Sequence, residues 1–248
     1  MLTRLKQVNF AKLISVLFFI ALLYLLQLSY FNLKNWLTDE KSVPLSALIL
    51  TGDNTHITFN NVRDVLINQE DRLNFFTVEI AQIQKELEDM PWVYSVSIRK
   101  RWPDTLKVHI VEQSIVAVWN DRALLNRFGE IVQADPVTAK QDYVSLHGND
   151  EQANDVLTTY MKLHQLLKVN DFEIASLSSD TRQSTSLTLK NGMLLRLGKE
   201  QKLDRIQTFL TVYPLIGKKY DVNKIDYIDL RYDTGFAIGW KGESELIK

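Results

Sequence analysis

Residues 91–112 read PWVYSVSIRKRWPDTLKVHIVE, and this stretch decides the fold of the first half of the chain. On both sides of Trp102-Pro103-Asp104, apolar residues alternate with polar residues, a period that places every second side chain on one face of a β-strand. The alternating apolar residues are Val96, Ile98, Leu106, Val108 and Ile110. Because Pro and Asp favour turns, the sequence predicts a β-hairpin whose turn lies at residues 102–104.

A strand and two helices are predicted before this hairpin. Residues 45–51 are apolar enough for a strand. Thr58 and Thr77 can each cap a helix, because a threonine hydroxyl accepts a hydrogen bond from the first helical turn. Apolar residues follow each threonine at helical spacing, and Pro91 ends the second helix. The order strand, helix, helix, strand, strand predicts an α+β domain over residues 45–115, with two helices on one face of a three-stranded sheet.

Closer to the N-terminus, residues 13–33 contain no charged side chain and are long enough, as a helix, to cross a bilayer. A cleaved signal peptide is the alternative, but residues 27–32 offer no cleavage site with small residues. The lack of a polar face argues against a helix that lies on the membrane surface. The sequence therefore predicts an uncleaved transmembrane helix.

The residues before this helix set its predicted orientation. Arg4, Lys6 and Lys12 are basic, and residues 1–12 contain no acidic side chain. Because basic flanks stay in the cytoplasm, residues 1–12 are predicted to be a cytoplasmic tail. The rest of the chain is then periplasmic, as in a single-pass type II protein of the cell inner membrane, with a short polar spacer at residues 34–44.

Downstream of the hairpin, short alternating segments predict a mostly antiparallel β domain over residues 116–243, followed by a tail at residues 244–248. Asn191-Gly192 is predicted to form a type I′ turn, and residues 225–232 and 236–240 the last strand pair. Two amphipathic helices are predicted in this domain. Their apolar positions are Val156, Tyr160, Leu163 and Leu167 in the first, and Leu203, Ile206 and Leu210 in the second, which ends at Pro214.

Composition excludes several classes of function. The chain has 29 basic and 30 acidic side chains, so a nucleic-acid-binding footprint is not expected. It has no cysteine, which excludes disulfides and thiolate chemistry. The four histidines lack metal-binding spacing, and neighbouring carboxylates such as Asp226 and Asp229 are common on protein surfaces. With no nucleophile elbow, phosphate loop or dinucleotide motif, the sequence predicts no enzymatic activity, no cofactor and no metal.

Several of these segments together resemble a known family. Pro91-Trp92-Val93, residues 99–103, residues 106–108 and Glu112 look like the second half of a POTRA (polypeptide-transport-associated) domain of the FtsQ/DivIB family of bacterial cell-division proteins. Residues 229–240, DLRYDTGFAIGW, are similar to that family's final strand pair. With the single basic-flanked helix, the resemblance covers nearly the whole chain. It implies a membrane anchor, a POTRA domain and a β domain in a scaffold of the divisome.

The resemblance also implies partners and the residues that bind them. In that family the β domain binds the periplasmic parts of FtsB and FtsL, two small coiled-coil membrane proteins, and the POTRA domain helps localisation to the division septum through FtsK. The matching partner-binding positions are Tyr232, Gly235 and Trp240 in the final strand pair, and Arg182, which would pair with an acidic side chain of the partner. The matching recruitment positions are Ile98 and Lys100.

The residues alone leave other interpretations open. Tyr232 and Trp240 could be core residues, and Arg182 could be a solvated surface charge. A POTRA-containing component of protein translocation or secretion would bind many extended peptides. A membrane-anchored periplasmic hydrolase would lose activity on substitution of one acid or histidine. The divisome scaffold predicts a short list of partners instead.

Overall fold

The computed structural model describes residues 10–38, 44–68, 74–139, 142–232 and 234–242. The chain divides into two compact units, one up to Glu112 and one from Gln113. The predicted domain limits, at residues 45–115 and 116–243, stay predictions at the level of individual residues. The predicted tail at residues 244–248 lies outside the described residues.

Helix α1 runs from Phe10 to Thr38. Its segment Ile14–Leu37 is long and apolar enough to cross a membrane, and none of it is buried in the protein. At a rise of 1.5 Å per residue, these 24 residues span about 36 Å, compared with about 30 Å for the hydrocarbon layer. Lys12 lies in the first turn of α1, whereas Arg4 and Lys6 lie outside the described residues.

A three-stranded sheet and two helices follow α1. The strands are β1 (Ala47–Thr51), β2 (Val93–Arg101) and β3 (Thr105–Glu112), and the helices are α2 (Phe59–Ile67) and α3 (Ile80–Glu88). Strand β3 is central, paired in parallel with β1 and antiparallel with β2. The alternating residues of β3 and apolar residues of both helices form one core, which confirms the predicted α+β arrangement.

The two predicted helix caps have different outcomes. Thr58 caps α2, because its side chain and that of Asn61 each bond the backbone of the other residue. Thr77 does not cap α3, which begins three residues later and follows Glu79. The side chain of Asn74 accepts the N–H of Phe76 at 2.8 Å and holds residues 75–77 in a turn, so the helix begins only after that turn.

The second unit is built on a nine-stranded sheet with two helices. The strands are β4 (Ile115–Trp119), β5 (Ala123–Asn126), β6 (Ile131–Val132), β7 (Val144–His147), β8 (Ile174–Ser179), β9 (Thr185–Leu189), β10 (Leu194–Gly198), β11 (Ile225–Asp229) and β12 (Ala237–Trp240). The helices are α4 (Ala153–Lys168) and α5 (Lys202–Gly217). The strand order is β12-β11-β10-β9-β8-β7-β4-β5-β6. Pairing is antiparallel except at β10–β11, β7–β8 and β4–β7, so the mostly antiparallel β domain is confirmed.

Two local predictions in this unit are wrong. The turn at Asn191-Gly192 is not type I′, because Gly192 has a positive φ (87°) and Asn191 does not. The N–H of Gly192 donates to the carbonyl of Leu189, as in a type I turn that ends in a left-handed glycine. Helix α5 continues past Pro214 to Gly217. Proline removes one hydrogen bond, and the buried Ile216 keeps the last turn packed on the core.

Candidate partner-binding site

Strand β12 forms one end of the nine-stranded sheet and pairs only with β11 among the described strands. Ile238 lies opposite the buried Ile228, so one face of β12 belongs to the core. The N–H and C=O groups on its outer edge can pair with an added strand. At the other end of the sheet β6 is only two residues long, so β12 is the better template for a partner strand.

The three predicted residues near β12 have different surroundings. Tyr232 is 58% exposed. Trp240 is half-buried against the core, and its ring centre lies 5.4 Å from that of Tyr220. Gly235 is exposed, and a Cβ added there would meet nothing within 4 Å. The side chain of Tyr232 is therefore accessible from solvent, whereas that of Trp240 supports the fold.

A residue that the sequence did not single out, Gly239, fixes the position of β12. Gly239 lies opposite Tyr227 of β11, and a Cβ at Gly239 would come within 2.1 Å of a ring carbon of Tyr227. The guanidinium of Arg196, on β10, lies 4.2 Å from the centre of the same ring, at cation–π distance. Glycine is required here because the ring packs directly against the β12 backbone.

The segment after β11 is held by ionic contacts. Arg231 donates from Nε and Nη2 to the carboxylate of the buried Asp229, at 2.9 and 2.6 Å. Arg205 of α5 donates to the backbone carbonyls of Leu197 and Arg231. The hydrogen bonds from Arg231 outweigh burial and hold the pKa of Asp229 below its usual value. These contacts position the chain immediately before Tyr232.

This arrangement makes stability depend on pH. A lowered pKa in the folded state means that ionised Asp229 stabilises the fold above the unfolded-state pKa of about 3.9, and that this contribution is lost as pH falls through the lower folded-state pKa. We expect Asp229→Asn to lower the free energy of unfolding at pH 7 by about 1 to 2 kcal/mol, since Arg231 is half exposed and partly solvated.

Thermal unfolding at pH 7 and pH 3 checks this expectation. At pH 7 the variant should be less stable than the wild type. Between pH 7 and pH 3 the stability of the variant should fall by less than that of the wild type. Asp226→Asn is the matched control, because Asp226 is exposed on the same strand. Equal effects of the two substitutions would contradict a special role for Asp229.

A groove of about 370 Å³ lies beside Tyr232, between the segment that precedes β12 and the N-terminal half of α5. The lining residues are Gln201, Asp204, Arg205, Thr208, Leu230, Tyr232, Thr234, Gly235 and Phe236. Both apolar and polar side chains line it, which suits an amphipathic peptide.

One further depression adjoins this groove, and a second adjoins the first. One, of about 390 Å³, shares Gln201 and Asp204 with it and carries three lysines, Lys162, Lys199 and Lys202. Burial and the neighbouring Lys199 lower the pKa of Lys202. The other depression, of about 200 Å³, shares Lys202 with the depression that carries the three lysines. It is also lined by Gln183, which follows Arg182 in the sequence. The three form a track between Tyr232 and the turn that holds Arg182. We call it the basic track, because its lining has four basic side chains, the three lysines and Arg205, and two acidic ones, Asp155 and Asp204.

Arg182 lies in the tight turn between β8 and β9. Its N–H and that of Ser184 both donate to a carboxylate oxygen of Asp180, at 2.9 and 2.8 Å, and Gln183 has φ 65°. The side chain of Arg182 is exposed, and no acidic residue in the described part of the chain pairs with its guanidinium. A rigid turn thus presents an available cation.

In the first unit, Ile98 and Lys100 lie on β2, an edge strand. Ile98 is half-buried against the core. Lys100 donates from Nζ to the carbonyl of Phe76 at 3.1 Å and lies 5.6 Å from the ring centre of Phe75. Burial lowers the pKa of Lys100. Within the described residues, no group of three His, Asp or Glu side chains could hold a metal ion.

An apolar N-terminal helix, a POTRA-type α+β domain and a β domain whose sheet ends at the edge strand β12 define a membrane-anchored POTRA protein. The family model "POTRA domain, FtsQ-type" matches residues 43–113, and "Cell division protein FtsQ/DivIB, C-terminal" matches residues 117–231. The chain belongs to the FtsQ/DivIB family of cell division proteins.

Similar relatives cover most of the chain, and each is named "Cell division protein FtsQ". The relative from Shewanella oneidensis is 40% identical over 84% of this chain and 78% of its own. Those from Vibrio cholerae and Escherichia coli (strain K12) are 36% and 34% identical, over 92% and 94% of this chain and 87% and 86% of their own. Family membership and α1 together indicate a single-pass membrane protein with partners in the cell-division machinery.

Proposed function

We propose that this protein is a non-enzymatic scaffold of the divisome, which links early and late cell-division proteins and recruits partners for septal peptidoglycan synthesis. Its β domain binds the periplasmic parts of FtsB and FtsL. The observation that carries the proposal is the open edge of β12 beside the exposed Tyr232 and its groove.

The edge and the groove suit different parts of one partner. An extended segment that pairs with β12 gains backbone hydrogen bonds, and these give affinity with little sequence specificity. Specificity then comes from side chains: Tyr232 offers a large aromatic surface of the kind enriched in binding hot spots. Gly235 leaves room for a partner backbone, and Trp240 closes the end of the strand.

The charge of the track favours an acidic partner segment. Lys162, Lys199 and Lys202 line its middle, and Arg182 lies near its far end. A partner strand on β12 that continued as an acidic amphipathic helix would follow this track. Opposite charge steers association and fixes register more than it adds affinity, which suits assembly on a crowded membrane.

Orientation and membrane attachment complete the proposal. Arg4, Lys6 and Lys12 keep the N-terminus in the cytoplasm by the positive-inside rule, so both exported domains are periplasmic. Restriction to the membrane plane raises the effective concentration of partners that are also anchored, so a modest affinity of the β12 edge is sufficient. The edge of β2, with Ile98 and Lys100, is proposed to contribute to septal recruitment through FtsK.

Co-purification of the full-length protein from membranes tests the proposal. Mass spectrometry of the bound proteins is expected to identify FtsB and FtsL as the main partners. Depletion of FtsB and FtsL from the cells should leave this protein folded. A translocation or secretion component would instead bring down many unfolded polypeptides, and that result would overturn the scaffold proposal.

Charge reversal at Arg182 gives a residue-level prediction. Arg182→Glu is expected to weaken partner binding about five- to tenfold, because a repulsive contact replaces an exposed ion pair of modest strength. Reversal of an acidic partner side chain should restore part of the affinity. Arg127→Glu is the control, since Arg127 is exposed near the opposite end of the sheet. Equal losses in the two variants, or no rescue, would count against the ion pair.

A further inference from the structure

The end of α1 is bonded directly to the POTRA domain. The side-chain amide of Asn74 donates to the carbonyl of Leu37 at 3.1 Å, and Leu37 is the last residue of the apolar span. Asn74 is completely buried, so this contact is part of the packed structure. The loop that carries Asn74, Phe75 and Phe76 therefore lies beside the C-terminal end of the candidate membrane span.

The turn between β2 and β3 lies at the same end of the domain. Ser46 immediately precedes β1, and its N–H donates to the carbonyl of Asp104 at 3.0 Å. Ala47 pairs with Thr105 at the start of β3. Lys100 joins this turn to the loop at Asn74 through its bond to the carbonyl of Phe76. The turn and the loop thus form one rim, which faces the membrane end of the domain.

The rim carries exposed aromatic side chains and an adjacent exposed arginine, with one acidic residue, the partly exposed Asp104, in the turn. Trp102 is 78% exposed, more than any other aromatic residue in the described part of the chain, and Phe76 is 45% exposed. Arg101 is exposed next to Trp102. A single exposed aromatic residue is ordinary on a protein surface. Here, however, two of them and an exposed arginine lie at the end of the domain that is bonded to the membrane helix.

This combination matches the chemistry of a bilayer surface. Indole rings accumulate at the level of the lipid headgroups, and Trp36, in the last turns of α1, is 55% exposed at that same level. Arginine beside an indole adds attraction to anionic phospholipids. A protein partner would need its own complement to this rim, whereas the bilayer that holds α1 is present whenever the chain is in the membrane.

We propose that the rim formed by Phe76, Arg101 and Trp102 rests on the anionic headgroup region of the bilayer that α1 spans. The indole of Trp102 enters the interfacial layer, and Arg101 contacts phosphate groups. Three points then fix the domain relative to the membrane: the end of α1, the loop at Phe76 and the turn at Trp102. The edge of β2 is consequently presented in one orientation. The septal recruitment proposed above for Ile98 and Lys100 then does not depend on a freely rotating domain.

Lipid quenching of tryptophan tests the proposal with the full-length protein in nanodiscs. Half of the lipids carry anionic phosphatidylglycerol headgroups, and bromine atoms on the upper acyl chains quench nearby indoles. The emission of Trp102 is obtained as the difference between wild type and Trp102→Phe. Brominated lipid is expected to quench this difference by more than half, as it does for Trp36 measured in the same way. An unquenched Trp102 emission would overturn the proposal.

A charge variant separates anionic headgroups from simple proximity. Arg101→Glu should reduce the quenching of Trp102 at least twofold in anionic nanodiscs and leave it unchanged in nanodiscs of zwitterionic lipid. Lys85→Glu is the control, because Lys85 is exposed in the last turn of α3, near the start of β2 and far from the turn at Trp102. If Arg101→Glu has no more effect than Lys85→Glu, the proposed contact with anionic headgroups is wrong.

Discussion

Tyr232→Ala is expected to weaken binding of the FtsB periplasmic region more than about tenfold, because an exposed tyrosine beside a groove has the features of an interface hot spot. The same change should alter the free energy of unfolding by less than about 0.5 kcal/mol, since the side chain contributes little to the core. Titration of the purified full-length protein with the partner fragment, together with thermal unfolding, measures both quantities.

Phe128→Ala is the matched control for this prediction. Phe128 is also aromatic and partly exposed (45%), but it lies in the turn between β5 and β6, at the end of the sheet away from β12. It should leave partner affinity unchanged. Trp240→Ala is a less specific probe, because its half-buried ring packs on the core and its loss should reduce both stability and binding. If Tyr232→Ala destabilised the fold as much as Trp240→Ala, Tyr232 would be a core residue.

The sequence predicted the elements of the POTRA domain because its signals are local. Alternation across residues 91–112 depends only on which side chains face the core, and the Thr58 cap depends on a partner three residues away. The cap at Thr77 failed because Asn74, through its own side chain, holds the following residues in a turn. A contact between side chain and backbone at short range therefore outweighed the propensity of threonine.

The β domain shows where local signals end. Strands and helices of this domain were predicted, but periodicity carries no information about which strands are neighbours. The three parallel pairings bring β10 beside β11 and β7 between β4 and β8, although these strands are separated along the chain. The basic track from Tyr232 to Arg182 depends on the packing of α4 beside the start of α5 and the turn after β8, so composition and spacing could not reveal it.

The candidate site was predicted in part, through residues that resemble a family pattern rather than through their chemistry. Tyr232 and Arg182 are exposed, as a binding role requires, but their binding role stays a prediction. Gly239 was overlooked because a glycine in a strand has no distinctive sequence signal unless the facing side chain is known. Its requirement follows from the ring of Tyr227 on β11 and from Arg196 on β10.

Gly239→Ala is expected to lower the free energy of unfolding by about 1 to 3 kcal/mol, because the new methyl group would overlap the ring of Tyr227 and push β12 away from β11. Partner binding should fall as well, since the edge would lose its geometry. Calorimetric unfolding and titration with the FtsB fragment measure the two effects. Gly235→Ala is the stability control, because a methyl group there meets nothing within 4 Å.

A second substitution shows whether the ring of Tyr227 causes the loss of stability expected for Gly239→Ala. Tyr227→Ala removes the overlapping atoms and, alone, should cost about 1 to 2 kcal/mol through loss of the contact with Arg196 and of the packing of the ring on β12. In the double variant Gly239→Ala/Tyr227→Ala, the alanine at position 239 has space. Its loss of unfolding free energy should therefore be smaller than the sum of the two single losses by about 1 kcal/mol or more. Partner binding should also recover. Additive losses would mean that alanine disturbs the strand itself, and that the Tyr227 ring does not set the position of the binding edge.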